Sequence, residues 1–192
     1  MKFTKKNFKF IIQYSGTTYN GWQYQPECPT VQEEIESAIK KILYKNKQSI
    51  NLIGSGRTDS GVHALGQVAN IIINTNMSDS ELKNAINANT SDNIFIKDCL
   101  EVDLDFHSRF SAKKRCYIYK ITKNYSPFIK NREWFNDSKV DLNLMIDSAE
   151  LIIGNHDFSL LSKSNSEINN KNCEIYLSSW KLINDKLIYI IQ

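Results

Sequence analysis

Residues 50–74 read INLIGSGRTDSGVHALGQVANIIIN. Ile50, Leu52 and Ile53 open the stretch, and the β-branched run Ile71-Ile72-Ile73 closes it. Two short strands are expected, near 50–54 and 67–74, because β-branched residues suit a pleated, packed surface. Gly54, Gly56, Gly61 and Gly66 punctuate the segment between them. They mark a loop whose backbone comes close to a neighbour or takes positive φ.

The flanking sequence turns this strand pair into a fold. Upstream, FKFIIQY at 8–14 reads as a strand, followed by the turn-rich SGTTYNGWQYQPECP. Thr30 with Glu33 three residues on is a capping box. Val31, Ile35, Ala38, Ile39, Ile42 and Leu43 then form one apolar face at helical spacing. Downstream, Ser78 and Glu81 cap a second helix that turns Leu82, Ala85 and Ile86 inward. Residues 94–102 read as a strand with Ile94, Ile96, Leu100 and Val102 on one face. The order β-α-β-β-α-β is the ferredoxin-like one, an antiparallel sheet with both helices on one side.

The pattern then restarts. RCYIYKITK at 115–123 predicts a strand, and Leu142, Met145, Ala149 and Ile152 an amphipathic helix over 141–153. Two more strands are expected at 173–182 and 186–191, joined by a hairpin turning at Asn184-Asp185. KSNSEINNKN at 163–172 predicts a surface loop. The fold class is therefore α+β: two tandem ferredoxin-like halves with mainly antiparallel sheets, residues 1–105 and 106–192. The second half is β-α-β-β, without a last helix and strand. An apolar end in a strand predicts a shortened form of a longer chain, with an uncovered apolar patch.

Composition narrows the function class only slightly. The 192 residues are 41% hydrophobic and 23% charged, with a net charge of +3, as expected of a globular protein of one or two domains. No apolar run approaches the roughly 18 residues of a membrane span. The basic start MKFTKKNFKF lacks the apolar core of a secretory signal, so a cytoplasmic protein is expected. Cys28, Cys99, Cys116 and Cys173 form no C-x-x-C pair, which argues against zinc and predicts buried free thiols. His63, His107 and His156 are widely spaced. His156-Asp157 reads as a turn or cap, and no metal site is expected.

In the glycine-rich segment, Arg57, Thr58 and Asp59 sit together. The residues alone allow two readings: a long hairpin loop with Asp59 in an Asx-turn, or a loop built around a ligand. It is not a phosphate-binding P-loop, because no G-K-[ST] comes after it. Further on, Lys113, Lys114, Arg115, Lys120 and Lys123 cluster on and before one strand with interleaved tyrosines, and Arg109 lies just upstream. Such a cluster suits either an RNA-facing sheet or a solvated strand edge.

Residues 54–63 resemble the signature loop of TruA-type pseudouridine synthases, G-x-G-R-T-D-x-G-V-H, at every fixed position. Tyr14-Ser15-Gly16, Tyr19-Asn20-Gly21-Trp22-Gln23, Thr30-Val31-Gln32-Glu33, Phe106 through Ala112, Arg115 through Tyr119 and Gly154 through Phe158 are similar to further segments of that family, in the same order. The resemblance implies isomerisation of uridine to pseudouridine at positions 38, 39 and 40 of tRNA, without cofactor or metal. It implies that Asp59 is the catalytic carboxylate and that Arg57 pairs with it or fills the gap left by the flipped base. Tyr117 is implied as the active-site aromatic, in a homodimer. From the basic cluster itself, Arg109, Lys113, Lys114 and Arg115 are expected to contact substrate RNA. The alternative is a shortened module that binds tRNA and isomerises nothing.

Overall fold

The computed structural model describes residues 3–162 and 170–192, so most of the loop expected at 163–172 lies outside the described residues. The chain divides into two units, Met1–Ala112 and Lys113–Gln192. Residues 106–112, expected in the second half, belong to the first unit.

The first unit runs β1 (Thr4–Tyr14), α1 (Val31–Ile42), β2 (Ile53–Gly54), β3 (Ala64–Thr75), α2 (Asp79–Asn87) and β4 (Ile94–Val102). The sheet order is β2-β3-β1-β4, and all neighbours are antiparallel. This is the ferredoxin-like arrangement. Val31, Ile35, Ala38 and Ile39 of α1 and Leu82 and Ile86 of α2 form one core with Phe8, Phe10 and Ile12 of β1 and Ala69, Ile71 and Ile73 of β3. Phe8, Phe10 and Ile12 are fully buried, each worth roughly 1.5–3 kcal/mol. The α2 capping box closes in both directions: Ser78 Oγ accepts from Glu81 N, and Glu81 Oε2 accepts from Ser78 N. For α1 only the Thr30 half forms, with Thr30 Oγ1 accepting from Glu33 N at 3.3 Å.

Three elements differ from the sequence expectation. The strand near 50–54 shrinks to Ile53–Gly54, because Leu52 N–H donates to the Glu36 carboxylate instead of a strand partner. β3 starts at Ala64 rather than Gln67, since pairing with Tyr14 draws the end of the glycine-rich loop into the ladder. In β4 the register against β1 shifts between Ile11–Asp98 and Ile12–Ile96. Lys97 is the extra residue of a bulge, and the shift changes the facing of the residues beyond it. Cys99 turns inward and Leu100 is 43% exposed, so Leu100 does not share the core face with Ile94 and Ile96.

The sheet face away from the helices carries a buried polar network. Asn7 Nδ2 donates to Asp103 O (2.8 Å) and Phe106 O (2.9 Å), and Asn70 Nδ2 donates to Asn7 Oδ1 (3.0 Å). Ser108 N–H donates to Asn70 Oδ1 (2.8 Å), and its hydroxyl donates to Ile53 O. Asn7, Asn70 and Ser108 are each 2% exposed or less. The segment after β4 is thereby fastened across β1 and β3.

The second unit contains β5 (Tyr117–Thr122), β6 (Trp134–Phe135), α3 (Leu142–Glu150), β7 (Gly154–Asp157), β8 (Asn172–Ile175), β9 (Ser178–Ile183) and β10 (Lys186–Ile191). Its main sheet is β6-β5-β10-β9, and β7 pairs β8 separately. The single strand expected at 173–182 is two strands, interrupted at Tyr176-Leu177. The hairpin turns at Asn184 (φ 48°) and Asp185 (φ 62°) as expected; two left-handed residues match the twist of the flanking strands. Among the described residues of this unit the buried hydrophobics are Ile121, Ala149 and Leu187. The expectation of buried thiols holds for Cys99; Cys28 is half-buried, and Cys116 and Cys173 are exposed.

Candidate active site

The loop between β2 and β3 is braced from two sides. On the β3 side, Ser55 N–H donates to Val68 O (2.7 Å), Ser55 Oγ donates to Gln67 Oε1 (2.8 Å), and the Gln67 amide donates to Gly56 O. On the other side stands the chain just after β1. Trp22 N–H donates to Thr58 O (3.1 Å), and Gly61 N–H (3.2 Å) and the Ser60 hydroxyl (3.3 Å) both donate to Tyr19 O. Gly16 N–H donates to His63 Nδ1 (3.3 Å). The Tyr14 and Thr58 hydroxyls share a 2.8 Å hydrogen bond.

Tyr19 is itself anchored. Its hydroxyl donates to Glu34 Oε2 (2.6 Å) and lies 3.1 Å from Ser91 Oγ, while Glu34 Oε1 accepts from Ser91 N (2.6 Å). Burial, together with the Glu34 carboxylate, pushes the Tyr19 phenol up to about 12, so it stays a neutral donor. Two glycines make the approach possible. A Cβ at Gly16 would stand 2.0 Å from Val62 O, and one at Gly21 would stand 2.5 Å from Thr58 O, at φ +95°. The segment similar to the family's first turn is therefore the cradle of the Asp59 loop.

Held this way, the loop half-buries Thr58 and exposes Arg57 and Asp59 on either side of it. Among the described residues the ion pairs are Lys6–Glu101 and Lys186–Glu133, so Arg57 and Asp59 are not paired with each other. The carboxylate is open to a ligand, on a backbone fixed by hydrogen bonds to both flanks, as partly buried backbone demands. It can act as a nucleophile or a base.

Arg109 lies in the tight turn His107–Ser111. His107 Nδ1 accepts from Arg109 N (3.2 Å) and Phe110 N (3.4 Å), and Ser111 N–H donates to His107 O (2.8 Å). Ser108 points inward to Asn70 and Ile53, while Arg109 and Phe110 are exposed, the guanidinium 5.8 Å from the Phe110 ring. Ile53 leads directly into the Asp59 loop, so the structure ties the Arg109 turn to the base of that loop.

In the second unit, Tyr117 is 53% exposed, and its ring is not committed to a closed core. Register pairs Tyr117 with Ile191, Tyr119 with Tyr189 and Lys120 with Ile188. Alternation then puts both tyrosines on one face of the sheet and Lys120 on the other. The interleaved tyrosines and lysine of this strand do not share a surface. Lys113, Lys114 and Arg115 precede the strand and are exposed. Lys114 Nζ rests 3.9 Å over the Tyr176 ring, whose hydroxyl donates to Glu174 Oε2 (2.6 Å). Along Gly154–Phe158, His156 Nε2 bonds Ile153 O (2.9 Å) and Asp157 Oδ1 accepts from Ser159 N (2.8 Å). Bonds from the Ser159 hydroxyl and amide hold the Asp157 carboxyl below its usual range; where a turn or cap was expected, His156 and Asp157 are the last residues of β7, paired with Cys173 and Asn172. No group of three or more His, Cys, Asp or Glu among the described residues is placed to hold a metal, and no helix among them is long and apolar enough to cross a membrane.

Asn7, Asn70, Gln67 and Glu34 were not singled out from sequence. Asn7 and Asn70 carried a signal, since each is a polar residue next to a strand run of apolar ones. Gln67 and Glu34 act through partners distant in sequence and carried none.

The class this unit belongs to is set by its match to known proteins. Residues 10–111, which hold the sheet, the cradle and the Asp59 loop, match the family model described as tRNA pseudouridine synthase. The tRNA pseudouridine synthase A of Acetivibrio thermocellus is 42% identical over 163 residues, 84% of this chain and 66% of that protein. That of Caldicellulosiruptor saccharolyticus is 44% identical, covering 86% and 68%, and that of Borrelia duttonii 38% identical, covering 94% and 73%. The chain belongs to the tRNA pseudouridine synthase family, and it spans about two thirds of the length of the curated relatives it matches.

Proposed function

We propose that this chain isomerises uridine to pseudouridine in tRNA, at positions 38, 39 and 40 of the anticodon arm. The observation that carries the reading is the Asp59 carboxylate, exposed on a loop clamped by both β3 and the Tyr14–Trp22 segment. The reaction breaks the bond from uracil N1 to C1′, turns the base, joins C5 to C1′ and returns the C5 proton to N1 through solvent. Atoms and electrons balance within the substrate. Asp59 supplies the carboxylate at ribose or base, and Arg57 fills the space left by the flipped nucleotide. Tyr117 stacks on the uracil, worth roughly 1–3 kcal/mol. Arg109, Lys113, Lys114 and Arg115 contact phosphates. The protein works as a cytoplasmic homodimer, a reading supported by the family resemblance.

The test is Asp59→Asn, which keeps size and removes charge. Pseudouridine formation on anticodon-arm RNA is expected to vanish while tRNA affinity stays within about twofold. Retained turnover removes Asp59 from the mechanism. An unaltered chain that binds tRNA without isomerising it is instead a binding module.

A further inference from the structure

We propose that Tyr14 is a positioning residue for Asp59, acting through Thr58; this rests on the catalytic reading of Asp59. Tyr14 ends β1, pairs with both Ala64 of β3 and Ile94 of β4, and is 5% exposed. A phenylalanine would fill the same core space against Trp22, whose ring lies 6.0 Å away. The hydroxyl adds the 2.8 Å bond to Thr58 Oγ1. Thr58 is the residue between Arg57 and Asp59, and its carbonyl is already held by Trp22 N–H at 3.1 Å. With side chain and carbonyl both bonded, Thr58 is restrained at two points, and the residues on each side of it are exposed. The two contacts leave from a central strand and from the chain after it, so the rigidity of the sheet is passed to the loop. Asp59 itself makes one contact of this kind, Val62 N–H to Asp59 O at 3.2 Å, which lies inside the loop. Its place is therefore set by its neighbour, and small losses of placement are costly in rate.

The experiment uses the full 192-residue chain with Tyr14→Phe, Thr58→Val, Thr58→Ser and the double variant Tyr14→Phe/Thr58→Val. Two readouts are taken: kcat and KM on tRNA, and hydrogen exchange of the Trp22 and Gly61 amides. Tyr14→Phe and Thr58→Val should each lower kcat about tenfold or more with KM within about twofold. The double variant should be no worse than the worse single, because both remove one bond. Thr58→Ser, which keeps the hydroxyl, should restore most of kcat. Exchange at Trp22 should accelerate in Tyr14→Phe and Thr58→Val and not in Thr58→Ser. Unchanged exchange, additive losses, or a serine variant no better than the valine one would each overturn the proposal. If Tyr14→Phe does not fold, the Val–Ser comparison at position 58 decides. If the unaltered chain fails to isomerise uridine, the functional reading falls and the proposal with it, and the exchange data then show only whether Tyr14 holds Thr58.

Discussion

Gly21→Ala tests whether the loop and its cradle are in backbone contact. Gly21 sits at φ +95°, and its Cβ would lie 2.5 Å from Thr58 O. The substitution carries two costs. An L-residue so far into positive φ is strained by about 1–3 kcal/mol. The Thr58 carbonyl must also move, and it then loses the Trp22 N–H bond, about 1 kcal/mol. The sum is about 2–4 kcal/mol, or a fall of at least ~8 °C in Tm for a unit of this size. Two other glycines separate the two costs. Gly61 is at φ +78° with nothing within 4 Å of its Cβ, so Gly61→Ala carries backbone strain alone, about 1–2 kcal/mol. Gly66 lies in β3 with Ile11 Cγ2 at 3.9 Å, so Gly66→Ala is expected to be neutral or to stabilise by about 0.4–1 kcal/mol through the unfolded chain. Urea denaturation of the three variants should rank them Gly66, Gly61, Gly21 in rising damage. Gly21→Ala within about 1 kcal/mol of Gly66→Ala, or Gly61→Ala as damaging as Gly21→Ala, would refute the close approach of the two backbones.

Further outcomes are expected. Asn70→Ala strands Ser108 N–H and Asn7 Oδ1 in the interior and should cost about 2–3 kcal/mol in urea unfolding, whereas a loss under about 0.5 kcal/mol would mean that water replaces the amide freely. Burial, reinforced by Asp79 and Asp98, pushes the Cys99 thiol up from 9.0 to about 12. The folded state therefore keeps a proton that the unfolded chain releases above about pH 9, and stability is full below that pH and falls as pH rises toward about 12. Cys99→Ala should flatten the urea midpoint against pH between about 9 and 10.5, and equal slopes would show that the thiol titrates alike in both states. RNA affinity should fall with salt by a log–log slope of roughly −0.7 to −0.9 per phosphate neutralised. Charge reversal of Lys113 and Lys114 together should shallow it, and an unchanged slope would move the RNA surface elsewhere.

Periodicity in the sequence determined the elements of the first unit and their order, but in the second it missed the short strands β6 and β7, which are too brief to show a period. The alternation of FKFIIQY, the helical spacing of Val31, Ile35 and Ile39, the Ser78–Glu81 box and the Asn184-Asp185 turn are local signals, and each was enough to place its element. The loop of Arg57, Thr58 and Asp59 was likewise legible as a string of residues. Tertiary structure decided the fastening and, beyond the β4 bulge, the facing. A one-residue bulge at Lys97 turned Cys99 in and Leu100 out, because strand period is two and any slip reverses the faces beyond it. Leu52 gave up a strand partner for the Glu36 carboxylate, a choice made by a helix residue sixteen positions away in the chain. The outward pose of Asp59 comes from Tyr14, Tyr19 and Trp22, which lie some forty residues earlier. A hydrogen bond depends on atoms meeting within about 3 Å in a set direction, and sequence spacing carries no such distance until the sheet has brought the two segments together.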